Sequence, residues 1–359
     1  MIKNLTIIGY LFFFLQTERV HSKLIISEFV TNNNGSLLDE DDDPSDWIEL
    51  LNTSEKPISL EGYYLTDEED NLKKWKLPNE VIPANDYFLV FASGKDRINE
   101  ISSSHANFSL SSSGEYLALT FDGLPVSEFS PKYPNQYKDI SYGYNFEEKI
   151  EGYFAEITPK NPNATVLYTG KVADTKFSND RGFYQNPFNV TISSKTNGAT
   201  IIYTTDGSKP TLENGIKVTP IDSNQETQAV VLINKTTPLR AAAFKEGLMP
   251  SNIDTQTYLF LEDVLDQPKR PEGYPFPWIA RNGQSIEGDY EMDPNVVGKL
   301  YSRDELKESL LSLPTISIVT NKDNLFDSKS GIQVNPKDSG PDSEREISLE
   351  FLNFENSPN

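Results

Sequence analysis

Short β-type segments separated by turn residues recur through the first third of the chain. Each segment is rich in Val, Ile, Leu, Tyr or Phe, and clusters of Asn, Asp, Ser, Gly or Pro lie between them. Short strands punctuated in this way are typical of sandwiches and barrels. The pattern therefore predicts an all-β fold, with strands at residues 24–30, 47–52, 62–66, 87–91, 116–121 and 126–129.

Local patterns predict the geometry of individual strands and turns. From Asp46 to Asn52 large apolar residues alternate with polar ones, which predicts a strand with one buried face. Gly62 opens the next apolar segment and can turn the chain. Asp122-Gly123 stands between two apolar segments and predicts a tight hairpin.

The composition excludes several classes of site. The chain has no cysteine, so it has no disulfides, thiolate metal sites or cysteine nucleophiles. Its two histidines are His21, near the N-terminus, and His105. Two histidines are too few for a multi-histidine zinc site, and a catalytic triad would have to be built on His105. The net charge of −22 opposes binding to phosphate backbones, so nucleic acid is not an expected partner.

Residues 1–22 have the pattern of a secretory signal peptide. Lys3 precedes an apolar run that ends at Leu15, and a short polar region follows. We predict cleavage after Ser22 and a secreted or cell-surface protein without a stable membrane span. An uncleaved anchor is the alternative, although the apolar run is shorter than the roughly 20 residues that a span needs.

A series of motifs occurs in order between residues 23 and 163. They lie at residues 24–29, 46–52, 60–67, 75–78, 82–92, 108–110, 139–143 and 158–163. Together they resemble the lamin tail domain, which implies an immunoglobulin-like β-sandwich over residues 23–163. Tyr63 stands where that family usually has Trp after the Leu-x-Gly turn, a change that conserves bulk.

A different pattern follows a predicted linker at residues 164–176. The run Ile-Tyr-Thr-Thr-Asp-Gly-Ser-Lys-Pro at 202–210 joins a strand to a tight turn at Asp206-Gly207. Residues 177–261 are similar to the chitobiase/β-hexosaminidase C-terminal domain, also described as Fn3-associated. This resemblance implies a second, Fn3-like β-sandwich that is accessory to catalysis performed elsewhere.

The C-terminal part is predicted to be extended, with one short helix. Residues 262–301 are rich in Pro and Gly and predict a connector. Ser302 and Glu305 have the spacing of a capping box, and Pro314 ends the helix. Residues 315–319 then predict a buried strand. The apolar face of the helix consists of Leu306, Leu310 and Leu313.

Motifs at residues 289–294, 311–320, 324–326 and 331–336 occur in this same region. They resemble the beginning of CotH-type proteins, the spore-coat kinase-like family. The resemblance ends within residues 344–351, before phosphate-binding or metal-binding residues, so no catalytic residue is carried over. It implies that residues 302–359 are the truncated start of a CotH-like region.

An acidic loop between the first two strands offers candidate calcium ligands. The predicted ligands are Asp39, Asp41, Asp42, Asp43 and Asp46. The loop lacks the spacing and glycine of an EF-hand, so a solvated loop without an ion is the alternative. A second acidic loop at 67–70 would share the ion if both loops lie at the same end of the sandwich. Calcium is the one cofactor that the sequence suggests.

The sequence contains no recognisable catalytic motif, so we expect a binding role. The predicted function is that of a secreted, non-catalytic surface protein for adhesion, scaffolding or display, with an extracellular protein or polysaccharide as partner. Two alternatives remain: the accessory part of a CotH-like kinase, and a carbohydrate-binding module. The aromatic residues that suggest the second alternative are Tyr63, Tyr64, Trp75, Tyr184 and Tyr203.

Overall fold

The chain is described in two compact units. The computed structural model describes residues 23–98, 103–146, 149–154, 156–163 and 167–353. The first unit ends at Leu167 and the second begins at Tyr168. The predicted signal peptide at residues 1–22 lies outside the described residues.

The first unit consists of two packed β-sheets and a small ribbon. Its strands are β1 (Leu24–Val30), β2 (Trp47–Asn52), β3 (Ile58–Ser59), β4 (Tyr63–Thr66), β5 (Trp75–Lys76), β6 (Val81–Ile82), β7 (Tyr87–Phe91), β8 (Ser104–His105), β9 (Leu117–Phe121), β10 (Leu124–Phe129), β11 (Ser141–Asn145) and β12 (Ile150–Phe154), with β13 (Leu167–Tyr168) at the boundary. The larger sheet has the order β13-β12-β11-β1-β2-β7-β8 and the smaller β10-β9-β4-β5, while β3 pairs with β6. This arrangement confirms the predicted all-β, immunoglobulin-like sandwich.

Strand β2 is buried on both faces, so the prediction of one buried face is wrong. Side chains alternate along a strand, so Ile48 and Leu50 point away from the face that carries Trp47 and Glu49. All four side chains are 0% exposed. The second face is covered by segment 156–163, in which Ile157 packs near Trp47 and Lys160 N donates to the Glu49 carboxylate.

Two predicted turns are confirmed. Strands β9 and β10 are joined by Asp122 and Gly123, whose φ angles of 49° and 82° are those of a tight hairpin turn with both central residues left-handed. Gly62 has a φ of 83° and precedes β4 directly. Both positions require backbone angles that most side chains disfavour, which explains the glycines.

The second unit contains a further sandwich and a C-terminal extension. Its strands are β14 (Lys176–Phe177), β15 (Gly182–Phe183), β16 (Phe188–Ser194), β17 (Thr200–Thr204), β18 (Ile216–Val218), β19 (Thr227–Ile233), β20 (Thr237–Phe244), β21 (Asp254–Leu259), β22 (Trp278–Ile279), β23 (Ser285–Ile286), β24 (Thr315–Val319) and β25 (Ser348–Leu352). Two sheets enclose one core: a three-stranded sheet with the order β14-β16-β19 and a five-stranded sheet with the order β15-β21-β20-β17-β18. Strands β22 and β23 pair, as do β24 and β25.

The predicted helix is confirmed as α2 (Arg303–Leu311). Ser302 and Glu305 form the expected capping box. Two five-residue helices, α1 (Leu261–Leu265) and α3 (Lys322–Phe326), also occur, with a 3₁₀ turn at Pro341–Ser343. Among the described helices, none is long and apolar enough to cross a membrane.

Strand β24 is not the buried strand that its apolar sequence predicts. Ile316 and Ile318 are 53% and 61% exposed, whereas Val319 is 6% exposed. Its partner strand β25 places Phe351 opposite Ile316 and Leu349 opposite Ile318. The ribbon therefore has one buried face and one exposed apolar face, because no second layer from the described part of the chain covers its outer side.

Candidate functional site

The loop between β1 and β2 gathers three of the five predicted calcium ligands. One carboxylate oxygen each from Asp39, Asp41 and Asp43 lies within 4.8 Å of the others. Asp42 and Asp46 lie outside this group. Asp42 is exposed, with a left-handed φ of 64°, and Asp46 accepts a hydrogen bond from Leu110 in the loop after β8. The loop thus concentrates negative charge at one point of the first unit.

Lys95 provides a positive charge at the centre of this group. Its Nζ atom lies 2.7 Å from Asp39 Oδ2, 2.7 Å from Asp41 Oδ2 and 2.8 Å from Asp43 Oδ2. The ammonium group therefore compensates the mutual repulsion of the carboxylates. A bound Ca²⁺ would have to replace it.

Asp39 organises the loop from within. Its side chain is 0% exposed, and Oδ1 accepts the backbone N–H groups of Asp41 and Asp43, while Oδ2 accepts from Ser45 Oγ. Burial opposes ionisation of Asp39, but the hydrogen bonds from Lys95, Ser45 and the backbone outweigh it and lower its pKa. The loop conformation therefore depends on the ionised carboxylate.

Asp46 is in a different environment from the rest of the loop. Its Oδ2 accepts from Leu110 N at 3.3 Å. Burial raises the pKa of Asp46 to about 6, and the negative charge of Glu115 acts in the same direction. Asp46 therefore connects the acidic loop to the loop after β8 and does not face Lys95.

A second network beside the loop contains the one described histidine. His105 Nδ1 lies 2.8 Å from Ser93 Oγ, and His105 Nε2 lies 3.0 Å from Glu40 Oε1. Arg97 Nη2 donates to Glu40 Oε1 at 2.7 Å and to Asp41 Oδ2 at 2.7 Å. Serine, histidine and glutamate are the residue types of a hydrolytic triad. However, His105 is 0% exposed and stacks on Phe91 at 5.3 Å, so a substrate has no access to the imidazole.

The second acidic loop, at residues 67–70, forms ion pairs with a nearby lysine, Lys74. Lys74 Nζ lies 2.7 Å from Asp67 Oδ1 and 2.6 Å from Glu68 Oε1. Thr66 Oγ1 accepts from Glu68 N and donates within the same loop. Each of the two acidic loops therefore has a lysine from outside the loop as its counter-ion, Lys95 for the first and Lys74 for the second.

Two buried glutamates on the larger sheet were missed by the sequence analysis. Glu28 and Glu49 are paired directly across β1 and β2, and both are 0% exposed. Glu28 accepts from Thr158 N and Oγ1, and Glu49 accepts from Ser27 Oγ at 2.8 Å and from the backbone N–H of residue 160 at 2.5 Å. Both glutamates therefore hold segment 156–163 onto the sheet. In the sequence these glutamates stand among apolar strand residues, and such a pattern predicts that the polar side chains face solvent.

The aromatic residues proposed for sugar stacking do not form one platform. Trp75 and Tyr203 are 3% and 9% exposed and belong to the interior. Tyr184 stacks on Phe188 at 4.1 Å. Tyr63 and Tyr64 are half-buried, with Tyr63 against Phe121. Most of this group therefore fills space inside the units.

Comparison with protein families supports both sandwich assignments. Residues 17–130 match the family model described as Lamin Tail Domain, and residues 190–258 match the one described as Fn3 associated. The chain is thus similar to a lamin tail domain followed by an Fn3-associated domain. Neither match reaches residues 302–359. A search of curated proteins found no match to the chain.

Proposed function

We propose that this protein is secreted and acts outside the cell as a non-catalytic adhesion, scaffolding or display protein built from two β-sandwich modules. Both family matches support modules of this kind. The observation that carries the proposal is that the charged clusters of the first unit are engaged internally. Lys95 binds the acidic loop, and His105 is enclosed among Ser93, Glu40 and Phe91.

Secretion is tested by the N-terminus of the mature protein. The full chain carrying a C-terminal tag is expressed in its source organism, the cells are fractionated, and the N-terminus is determined by mass spectrometry. We expect extracellular or surface-attached protein beginning at Lys23. Phe13→Arg, which interrupts the apolar run, is expected to keep the protein inside the cell. Wild-type protein that keeps residues 1–22 in the cytosolic fraction would contradict the proposal.

The proposed partner is an extracellular protein or polysaccharide. The acidic charge of the chain favours partners with a basic surface. Purified full-length protein is passed over immobilised extracellular proteins and over polysaccharide gels of the source organism at about 0.15 M salt. Specific retention is expected on one of them. Elution with the void volume from every matrix would count against adhesion.

Calcium binding by the acidic loop is a second part of the proposal. It is supported by the close approach of the carboxylates of Asp39, Asp41 and Asp43. Asp42 and Asp46 would contribute after a rearrangement of the loop. Binding would have to compete with Lys95, so the decisive experiment removes that lysine.

A role as the accessory part of a CotH-like kinase is the alternative. It is favoured by the exposed apolar face of the β24–β25 ribbon, where Ile316, Ile318, Leu349 and Phe351 suit packing against another domain. The test is the coding sequence downstream of Asn359. Acidic and glycine-rich catalytic motifs there would favour the kinase, and a stop codon would favour display.

A further inference from the structure

The second unit contains a cavity of about 470 Å³ on the outer face of its five-stranded sheet. The floor is formed by Arg240 and Ala242 of β20, and residues 346–348 form one wall. Cavities of several hundred Å³ with mixed apolar and polar walls are typical of small-molecule sites. All of the lining residues belong to the second unit.

Arg240 is the unusual residue of this cavity. Leu239 and Ala241 belong to the core of the sandwich, so the alternation of β20 places Arg240 on the opposite face. Arg240 is nevertheless 5% exposed. Its Nη1 atom donates to Gly207 O at 3.1 Å, whereas Nε has no hydrogen-bond partner. Among the residues that the structure describes, no carboxylate lies within 4.0 Å of this guanidinium.

A second polar atom without a partner lies next to Arg240. Thr255 of β21 stands directly opposite Arg240 in the sheet, is 8% exposed, and its Oγ1 atom makes no hydrogen bond. A buried charge without a hydrogen-bonded counter-charge is strongly unfavourable. Burial lowers the pKa of Arg240, an effect that Glu346 partly opposes. The structure thus leaves a donor and a hydroxyl unsatisfied beside the cavity, and of these two residues Arg240 lines it.

The remaining walls restrict the kind of anion that fits. Lys209 lies at the cavity and pairs with Glu346 at 3.2 Å, and the charge of Glu346 also acts on Arg240, so two cations share one carboxylate. Phe244, Pro250 and Ile253 give the rest of the wall an apolar character. One excess positive charge with an apolar wall matches a monoanion that carries an apolar body.

We propose that this cavity binds a small organic carboxylate, whose oxygens accept from the Arg240 guanidinium while its apolar body packs against Phe244. Arginine binds carboxylates in a planar, two-bonded geometry, which favours them over spherical anions. Inorganic phosphate fits less well because it lacks an apolar body.

The test uses the full-length protein and four probes, with affinity measured by calorimetry and by ligand-observed NMR. The probes are benzoate, its neutral isostere benzamide, acetate and inorganic phosphate. We expect saturable binding of benzoate, at least tenfold stronger than binding of the other three. Arg240→Met should weaken benzoate binding at least tenfold, whereas Lys217→Met, on exposed strand β18, should leave it unchanged.

A second variant keeps the test decisive if Arg240→Met does not fold. Ala242→Leu fills the floor of the cavity and retains the guanidinium, so it should abolish benzoate binding. Equal affinities for benzoate and benzamide would overturn the proposal. Absence of saturable benzoate binding to the wild-type protein, or unchanged binding in Ala242→Leu, would also overturn it.

Discussion

Trp47 belongs to a small buried cluster of apolar side chains. It packs with Val30 and Phe91, and with the half-buried Leu37 and Ile157, on the face of the larger sheet beneath segment 156–163. Its side chain is 0% exposed. Trp47 is larger than the other two buried members, Val30 and Phe91, which makes it the most informative truncation in this cluster.

We expect Trp47→Ala to lower the free energy of unfolding by about 3–5 kcal/mol, because the removed indole leaves a cavity. The measurement is urea denaturation of the full-length protein, followed by circular dichroism. Leu124→Ala is the control, since Leu124 is 71% exposed and its truncation should change stability by less than about 0.5 kcal/mol. A similar small effect for Trp47→Ala would show that the cluster is not tightly packed.

The Lys95→Met variant tests the calcium proposal. Without the ammonium group, Asp39, Asp41 and Asp43 repel one another, so a divalent cation should bind there more tightly than in the wild-type protein. Calorimetric titration with CaCl₂ should give heat of binding and raise Tm in Lys95→Met.

A matched control separates a local effect from a change in net charge. Lys73→Met also removes one lysine, but Lys73 forms its ion pair with Asp122 in the exposed hairpin, at 2.8 Å, and lies over the ring of Tyr64. It should bind Ca²⁺ no better than the wild-type protein. If Lys95→Met gives neither heat nor a shift in Tm, the calcium proposal fails.

Only part of the arrangement around the acidic loop could be predicted from the sequence. The loop acids were predictable because they are adjacent in the chain. Their counter-ion was not, since Lys95 is 52 to 56 residues away and reaches them only through the pairing of β2 with β7. Likewise, His105 could be identified as the isolated histidine, but its enclosure required the parallel contact of β7 with β8.

Segment 156–163 is held on the larger sheet by hydrogen bonds to two buried glutamates of that sheet, Glu28 and Glu49. Burial raises the pKa of Glu49 to about 7, and the charge of Glu28 acts in the same direction, whereas the N–H of Lys160 and the Ser27 hydroxyl oppose the rise. Tyr87 also faces this pair. Between the ordinary glutamate pKa and 7, the folded state retains a proton that the unfolded state has released. Stability should therefore fall as pH rises through this window.

Glu49→Gln removes this titration while retaining hydrogen bonding to segment 156–163. We expect the loss of stability between pH 5 and pH 8 to be smaller than in the wild-type protein by about 1–3 kcal/mol. Urea denaturation at both pH values measures it. Glu61→Gln at an exposed turn is the control and should keep the wild-type pH dependence. A Glu49→Gln profile parallel to that of the wild-type protein would contradict the assignment.

The β24–β25 ribbon allows a comparison of two adjacent residues on opposite faces. Ile318→Thr, at an exposed position, should change the free energy of unfolding by less than about 0.5 kcal/mol. Val319→Thr should cost about 1–3 kcal/mol, because it buries a hydroxyl at a 6% exposed position. Equal costs, measured by urea denaturation, would show that the outer face of the ribbon is covered.

Element prediction succeeded where local chemistry decides the structure and failed where packing decides it. The Asp122-Gly123 turn and the Ser302–Glu305 capping box depend on a few neighbouring residues, and both are present. The burial of Glu49 and the exposure of Ile318 depend on which segments cover each face. Apolar alternation does not contain that information, because a second layer comes from distant parts of the chain.

We expect the two units to fold independently. The first unit has its own buried cluster around Trp47, and the second has a core that includes Val190, Leu239 and Tyr258. A fragment of residues 23–167 should therefore show cooperative urea unfolding. In it, Trp47→Ala should cost the same as in the full chain, within about 0.5 kcal/mol.

A shorter fragment distinguishes the folding unit from the family match. Residues 23–130 end where the lamin tail match ends, but they lack β11, which pairs with β1 through Glu28 and Gly143, and segment 156–163. Glu28, Glu49 and Trp47 would then be exposed on one face. We expect this fragment to lack a cooperative transition and a dispersed NMR spectrum. A native-like spectrum from residues 23–130 would show that the glutamate-bound segment is dispensable for folding.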